Sequence, residues 1–470
     1  MKKIFFSLAG LILLLACNRQ PEDNKLTTIS GSVEPVLSGN VIVNIGALID
    51  SAKIDKEGNF SLSVPVEAPG TGLIIFNNSF SSIYLEAGKS LFIKILADDF
   101  PDKTEFSDEL GPVNHYLLLA TKLERQTTID NEKLFTKNPQ EFIAFTDSIE
   151  DLKLTLLKEY VKRYPEIDSV FVTRHKTDIH YSWANQRLIY PGYHALFSGE
   201  VAKLPDDYHP TYLNEIELNN PELMVSNVFQ SFIDDYLDFK QALYIDDNPK
   251  TSKLWFPESV ARFRVIQQVF TDTLIRDYAL FTSMSDHLDN FGTEHLETFI
   301  TNFEIHCSNE DFISIIKLKL ENLKKLARGE MAPVFTAFNV EVNQVSLSDY
   351  AGSLVYVNLW ASWSAWSINE FPYWEKLIRQ FESRGVKFIS VSMDFTKDTN
   401  KWKYILENQK LGGIQLIQDS ETDIWHDQYY IGDLPRYLLI DADGKIISVH
   451  APRPSENMEN TLEQLLNENF

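Results

Sequence analysis

Cysteine is almost missing from this chain: only Cys17 and Cys307 occur among 470 residues. Two cysteines can build neither a disulfide framework nor a four-thiolate zinc site. Glycine and proline, at 19 residues each, are too few for a collagen-like or low-complexity architecture. Positive charge is also scarce, because 43 Lys and Arg face 67 Asp and Glu, for a formal net charge of −24. Nucleic-acid binding relies on clustered basic side chains, so a general nucleic-acid binder is not expected.

Long apolar runs are missing after the start of the chain, so no later segment predicts a transmembrane helix. At the start, the basic Met1–Lys3 precedes an apolar run over Ile4–Ala16, a length typical of a signal peptide. With its small last residue, the run is similar to a bacterial lipobox ending in Cys17. It predicts a lipoprotein signal peptide over 1–16, lipid attachment to the cysteine and a polar tether over 17–25. A signal peptide cut elsewhere is the alternative.

This N-terminal pattern also predicts where the mature protein works. With no other apolar span, the lipid would be its only membrane anchor. We therefore expect a protein of the bacterial cell envelope that is lipid-anchored to a membrane and faces the periplasm.

Residues 26–105 contain short alternating segments typical of β-strands. Val41–Val43 and Phe60–Val64 flank a turn at Lys56–Asn59. A second pair of apolar segments surrounds Ala87–Lys89, which predicts a hairpin turn. Together these segments predict a β-sandwich-like domain.

Residues 106–328 change to a helical period. Apolar residues between Val225 and Tyr236 recur three, four, seven, eight and eleven positions after the first, as in an amphipathic helix, and Phe312–Leu323 repeats the pattern. Several prolines, Pro191 among them, are expected to divide the region into separate helices. The region predicts an all-α domain.

Three polar residues of this helical region, His175, Asp178 and His180, raise the question of a metal site. Residues five positions apart on a helix point in different directions, so the two imidazoles should not converge on one ion. The sequence therefore predicts no metal site.

Strands and helices alternate over residues 329–470. The apolar run Leu354–Leu359 is typical of a buried parallel strand. A helix is expected through Trp374–Phe381, followed by a strand at Lys387–Val391. Two further strands flank a hairpin turn at Asp441–Gly444. This alternation predicts a compact α/β domain.

Several motifs follow one another in this last third of the chain: Gly329–Phe335, Ser346–Gly352, Val357–Trp363, Glu370–Pro372 and Gly432–Tyr437. They resemble the TlpA/ResA-like thioredoxin family. Together with the N-terminal β domain, they resemble lipoproteins of the Bacteroidetes type. The resemblance implies a multidomain protein with a thioredoxin-like C-terminal domain, and a cis peptide bond before Pro435.

The sequence departs from this family at its reactive motif. The family's Cys-x-x-Cys falls on Ser364–Ser367, which reads Ser-Ala-Trp-Ser. Dithiol exchange needs a thiolate nucleophile and a second thiol that resolves the mixed disulfide. Cys17 is predicted to carry lipid, and Cys307 lies outside every thioredoxin motif. The domain is therefore predicted to be redox-inactive, with no catalytic residue, no metal and no cofactor.

The two serines have simpler explanations than catalysis. A hydrolase nucleophile would need a base and a strained Gly-x-Ser-x-Gly turn, and that turn is missing around Ser364 and Ser367. A serine at a helix start caps the helix by accepting a backbone N–H. Glu370, which tunes the thiols in active relatives, is expected to act as a first-turn carboxylate favoured by the helix dipole.

Two tryptophans remain as candidates for binding. Resemblance to thioredoxins implies a shallow groove between the turn that carries Trp363 and Trp366 and the loop of Leu434 and Pro435. The sequence thus favours a redox-inactive scaffold or accessory subunit that binds an envelope protein or peptide. A thiol-disulfide oxidoreductase is the alternative, and capture of a carbohydrate or another small ligand has no residue-level support.

Overall fold

The structure, a computed structural model, describes residues 26–46, 48–293, 295–395, 398–419 and 424–467. The predicted signal peptide, the tether and Cys17 lie outside the described residues. The chain divides into two compact units. The first contains the described residues up to Glu217 together with Glu222–Tyr236, and the second contains Leu218–Pro221 and the chain from Leu237 onward. Across the described ranges, no helix combines the length and apolar character needed to cross a membrane.

The first unit begins with eight strands in two four-stranded sheets, ordered β4-β1-β7-β8 and β3-β2-β5-β6. The strands are β1 Leu26–Glu34, β2 Asn40–Ile45, β3 Leu48–Lys53, β4 Asn59–Pro65, β5 Gly70–Phe76, β6 Ser79–Leu85, β7 Ser90–Leu96 and β8 Glu105–Ser107. Side chains alternate between buried and exposed along them, as in Phe60, Leu62 and Val64 of β4. The buried sides of both sheets belong to one apolar core.

The turn at Ala87–Lys89 is not the hairpin that the sequence predicts. It connects β6 and β7, which lie in different sheets. The reason is strand β1, which pairs with β4 in the antiparallel sense and with β7 in the parallel sense. Strand β7 therefore takes its place beside the start of the described chain and not beside its sequence neighbour.

A buried side chain closes the free edge of β6. Asn114 accepts a hydrogen bond from the Tyr84 N–H (2.7 Å) and donates one to the Tyr84 carbonyl (2.9 Å). Its amide takes the place of a neighbouring strand at this point of the edge.

Ten helices follow within the described residues: α1 Gly111–Thr127, α2 Asn131–Phe135, α3 Pro139–Arg163, α4 Ser169–Ser198, α5 Tyr208–Leu213, α6 Asn227–Asp247, α7 Pro257–Val269, α8 Thr273–Phe291, α9 Glu297–His306 and α10 Glu310–Lys324. Several begin at Asp or Asn side chains that accept backbone N–H groups, such as Asp168 before α4 and Asn309 before α10. The predicted helical middle region is therefore present.

Pro191 does not divide two helices as predicted, because it lies inside α4. A proline lacks the N–H that would bind the carbonyl four residues earlier, here that of Arg187. The buried Tyr208 hydroxyl donates to this carbonyl instead (2.9 Å). A tertiary hydrogen bond thus replaces the missing helical one, and the helix continues.

The second unit ends in a seven-stranded sheet of order β10-β9-β13-β12-β11-β14-β15. Its strands are β9 Thr336–Asn339, β10 Gln344–Ser346, β11 Val355–Trp360, β12 Lys387–Ser392, β13 Ile414–Gln418, β14 Arg436–Ile440 and β15 Ile446–Ser448. The helices are α11 Ala365–Asn369, α12 Phe371–Phe381, α13 Thr399–Gln409, α14 Ile424–Asp427 and α15 Met458–Asn467. Every residue of β11 is buried, as its continuous apolar run predicts.

Candidate functional site

The candidate site lies at the end of the sheet where strand β11 finishes. Leu359 pairs with Arg436 at the start of β14, and Trp360 pairs with Ser392 at the end of β12. Three segments therefore meet at one end of the sheet: the turn after β11, the segment after β12 and the loop before β14. The carboxyl ends of parallel strands are the usual place of sites in open α/β sheets.

Ser364 and Ser367 stand together at this edge and are both buried. The Ser364 hydroxyl oxygen accepts the Ser367 N–H (3.3 Å) at the start of α11, as predicted for a capping serine. It also accepts the Ser367 hydroxyl (2.9 Å). The two side chains thus hold each other at the helix start.

Trp363 and Trp366 project from the same turn. Their exposed fractions are 67% and 64%, so neither indole is part of the core. Phe395, which is 60% exposed, follows Asp394 after β12. Three large aromatic side chains therefore reach solvent at one edge of the domain. We call Trp363, Trp366 and Phe395 the aromatic edge.

A carboxylate that the sequence did not reveal fixes this turn. Asp394 is 2% exposed and accepts hydrogen bonds from the Ser362 N–H (2.9 Å), the Ser362 hydroxyl (2.8 Å) and the Ser392 hydroxyl (2.6 Å). It joins the residue before Trp363 to the end of β12. The short Ser-Met-Asp segment after an apolar strand was the only sequence signal for it.

Glu370 makes contacts that the sequence did not predict. It lies between α11 and α12, and its carboxylate accepts the Ser455 N–H (3.0 Å) and hydroxyl (2.8 Å). The residue therefore ties the junction of α11 and α12 to the segment before α15. The negative charge of Glu370 also acts with burial, the larger cause, to hold the pKa of Tyr437 well above its ordinary value.

The loop on the other side of the site carries Leu434 and Pro435. The bond between them is cis, as the family resemblance implies. Both residues are half-buried, and Gly432 and Asp433 before them are exposed. The register of β11 and β14 brings this loop to the same edge as Ser364 and the aromatic edge.

The remaining chemically interesting residues do not join the site. His175 packs against Phe171 and Tyr116, whereas His180 bonds to Glu150 (2.7 Å). Over the described ranges, no group of three or more His, Cys, Asp or Glu could hold a metal ion. Cys307 is buried after α9, and burial raises the pKa of its thiol.

A cavity of about 370 Å³ lies between α4 and α6 in the first unit. It is lined by Ser182, Asn185, Gln186, Ile189, Asn227, Val228 and Ser231. These side chains are neutral, so the cavity offers neither an acid–base pair nor an activated nucleophile.

Comparison with known proteins assigns the C-terminal part of the chain. The model of the AhpC/TSA family matches residues 328–449. Thiol-disulfide oxidoreductase ResA of Geobacillus thermodenitrificans is 30% identical over 121 residues, which are 26% of this chain and 67% of that protein. ResA of Bacillus cereus is 27% identical over 143 residues, 30% of this chain and 80% of that protein.

A solved structure is also similar to part of the chain. The thioredoxin domain of a thiol-disulfide oxidoreductase from Bacteroides vulgatus is 30% identical, with a TM-score of 0.28. The match covers 30% of this chain and 99% of that chain. The family match over residues 328–449 includes the candidate site.

Proposed function

We propose that this chain, which belongs to the thioredoxin-like thiol-disulfide oxidoreductase family through its C-terminal domain, is a member without redox activity. It acts by binding another protein. The partner is an extended peptide segment of an envelope protein. Binding takes place at the aromatic edge and the Leu434–Pro435 loop. The protein then acts as a scaffold or accessory subunit.

The serine pair is the observation that carries this proposal. The two positions of the family's dithiol hold hydroxyls that are 2.9 Å apart and bonded to each other. A serine hydroxyl is a weak nucleophile without a base and cannot form a disulfide. Ser364 and Ser367 therefore support the helix start and leave no atom for thiol exchange.

The surroundings of the pair favour binding. Large apolar side chains that stay exposed are typical of protein interaction sites, and aromatic residues dominate the energetics of such sites. Trp363 and Trp366 lie on one side of the edge and Leu434 on the other. An extended peptide could pair with the backbone of Leu434 as one added strand while an indole covers it.

The alternative is the activity named for the relatives, thiol-disulfide oxidoreduction. Its support is the family itself, since ResA of Bacillus cereus carries that name. It would need a thiol in the site, and Cys307 belongs to the helical region, where burial keeps its thiol protonated. Binding is therefore the function that the residues support better.

Trp366→Ala should weaken binding of the partner at least tenfold. A buried indole anchor contributes more than about 1.4 kcal/mol, which corresponds to tenfold in the dissociation constant. The partner is recovered by crosslinking and affinity purification of the lipidated protein from its native membrane. Its dissociation constant for each variant is then measured by calorimetry.

Trp255→Ala is the matched control, because Trp255 is 68% exposed but lies before α7, outside the aromatic edge. Affinity should stay unchanged in this variant. Melting temperatures are measured on the same preparations. Unchanged affinity in Trp366→Ala with a lowered melting temperature would mean that the indole packs on the protein itself. That result would refute partner binding at the groove between Trp366 and Leu434.

We further propose that the protein is an envelope lipoprotein anchored through Cys17 and facing the periplasm. Cys17→Ser should then block lipid attachment and move the protein from the membrane fraction to the soluble fraction, since the lipid on Cys17 is the proposed anchor. Fractionation and immunoblotting measure this. Cys307→Ser is the control and should stay with the membrane. Equal membrane retention of both variants would contradict the lipid anchor.

A further inference from the structure

Two side chains of the C-terminal domain hold the end of helix α8. Arg436, which directly follows Pro435, donates to the Asp289 carbonyl at the last turn of the helix (2.6 Å). His450 makes a hydrogen bond with the backbone of Asn290. At Gly292, just after the helix, an added Cβ would lie 3.2 Å from the His450 ring. All of these residues belong to the second unit.

Arg436 and His450 also contact each other. A guanidinium nitrogen of Arg436 donates to Nδ1 of His450. A guanidinium can only donate, so Nδ1 must keep its lone pair and the imidazole must be neutral. A proton on Nδ1 would set an N–H against an N–H and a cation against a cation. The contact and the protonated imidazole therefore exclude each other.

Other charged groups surround this contact. Asp286 and Asp289 approach it from α8, and Lys319 on α10 binds the Asp289 carboxylate (2.7 Å). Asp433 and Arg453 act on Arg436 from the loop before β14 and from the segment after β15. Burial, the larger cause, raises the pKa of both Asp286 and Asp289.

We propose that Arg436 and His450 form an acid-sensitive latch, which fixes the Gly432–Pro435 loop to the end of α8 and opens when His450 is protonated. The latch controls one wall of the candidate site through the residue next to Pro435. Regulation of partner binding by the latch rests on the proposed function, whereas the opening of the latch does not.

The direction in which pH acts on the latch follows from the difference between its closed and open states. Burial, and after it Arg436, lower the pKa of His450 to about 3 in the closed latch, whereas an open latch leaves it near the ordinary 6.5. The closed state then binds fewer protons, so the latch is held above pH 6.5 and weakens as the pH falls towards 3. Asp286 and Asp289 act in the opposite direction, because a raised carboxyl pKa favours the closed state in acid.

Hydrogen exchange of the full chain tests the latch without any partner. The backbone amides of residues 288–292 and of Ile431, which donates to the Trp425 carbonyl, should lose protection about tenfold between about pH 7.5 and 5.5, after correction for intrinsic exchange, because one pH unit below 6.5 gives about that factor. His450→Gln keeps a neutral acceptor and donor, so this loss should disappear. Any contribution of Asp286 and Asp289 to the pH dependence remains in His450→Gln, and it is subtracted from the pH dependence of the wild type.

His426→Gln, on α14, is the control and should behave as the wild type. Arg436→Met should expose the same amides at both pH values. An equal pH dependence in wild type and His450→Gln, or no loss of protection in the wild type, would overturn the latch. If the latch opens but partner binding is unaffected by pH, regulation of binding by the latch is refuted and the latch itself stands. If the latch opens but no partner binds at any pH, the proposed function fails and the latch stands.

Discussion

Replacing Ser364 and Ser367 together by cysteine is expected to give a protein that reduces insulin, whereas the wild type is expected to stay at background. The hydroxyl oxygens lie 2.9 Å apart at a helix start, so two sulfur atoms at these positions would be within reach of a disulfide. A helix N-terminus lowers the pKa of a thiol and raises its thiolate fraction. The C-terminal domain belongs to a thiol-disulfide oxidoreductase family, and the double substitution supplies the two thiols that its reactive motif lacks.

The measurement is dithiol-dependent insulin reduction by the full mature chain, with Cys307→Ser in every variant. Ser364→Cys alone is the matched control, because it supplies a nucleophile but no resolving thiol. It should form mixed disulfides and show little turnover. The wild type should stay at background. Reproducible turnover by the wild type would show that the protein is an enzyme and would refute the proposal that the serine pair leaves it without redox activity.

The α/β domain could be predicted closely from the sequence because its local patterns agree with its tertiary structure. The apolar run before Trp360 became a fully buried strand, and the turn at Asp441–Gly444 joins β14 and β15. The Ser364 cap was predicted from residue type alone. Each of these features depends on residues close in sequence, where pattern and propensity are informative.

Features that depend on distant partners could not be predicted. The β6–β7 turn connects two sheets because β1 pairs with β7, about 60 residues later. Pro191 stays inside α4 because the Tyr208 hydroxyl satisfies the Arg187 carbonyl. Glu370 binds Ser455, 85 residues away. None of these partners leaves a periodic signal in one sequence, so local rules gave the wrong or an incomplete answer.

Asp394 also acts through residues that are distant in the sequence, and its replacement is the second change with a large expected effect. Asp394→Ala is expected to lower the free energy of unfolding of the second unit by about 2–4 kcal/mol. The change leaves three donors on Ser362 and Ser392 without their acceptor, and a hydrogen bond to a charged group contributes about 1.5–3 kcal/mol. Part of this loss is offset because a buried carboxylate no longer has to be desolvated.

Chemical denaturation followed by tryptophan emission measures this loss, because seven of the eight tryptophans lie in the second unit and only Trp183 lies in the first. Asp394→Asn keeps an acceptor oxygen and should lose less. Glu407→Ala, an exposed carboxylate of α13, is the control and should stay within about 0.5 kcal/mol of the wild type. A similarly small change in Asp394→Ala would refute the structural role of this carboxylate.

Asp394→Ala also tests whether the position of the two indoles, apart from the stability of the unit, determines partner binding. Asp394 holds the Ser362 backbone directly before Trp363, so its loss should speed hydrogen exchange over residues 361–367 more than over β11. Partner affinity should fall together with this local protection, although both tryptophans remain. Weakened binding in Asp394→Ala at temperatures where the unit is still folded would mean that the position of the indoles, and not only their presence, determines recognition. Unchanged affinity despite a mobile turn would instead assign binding to the Pro435 loop.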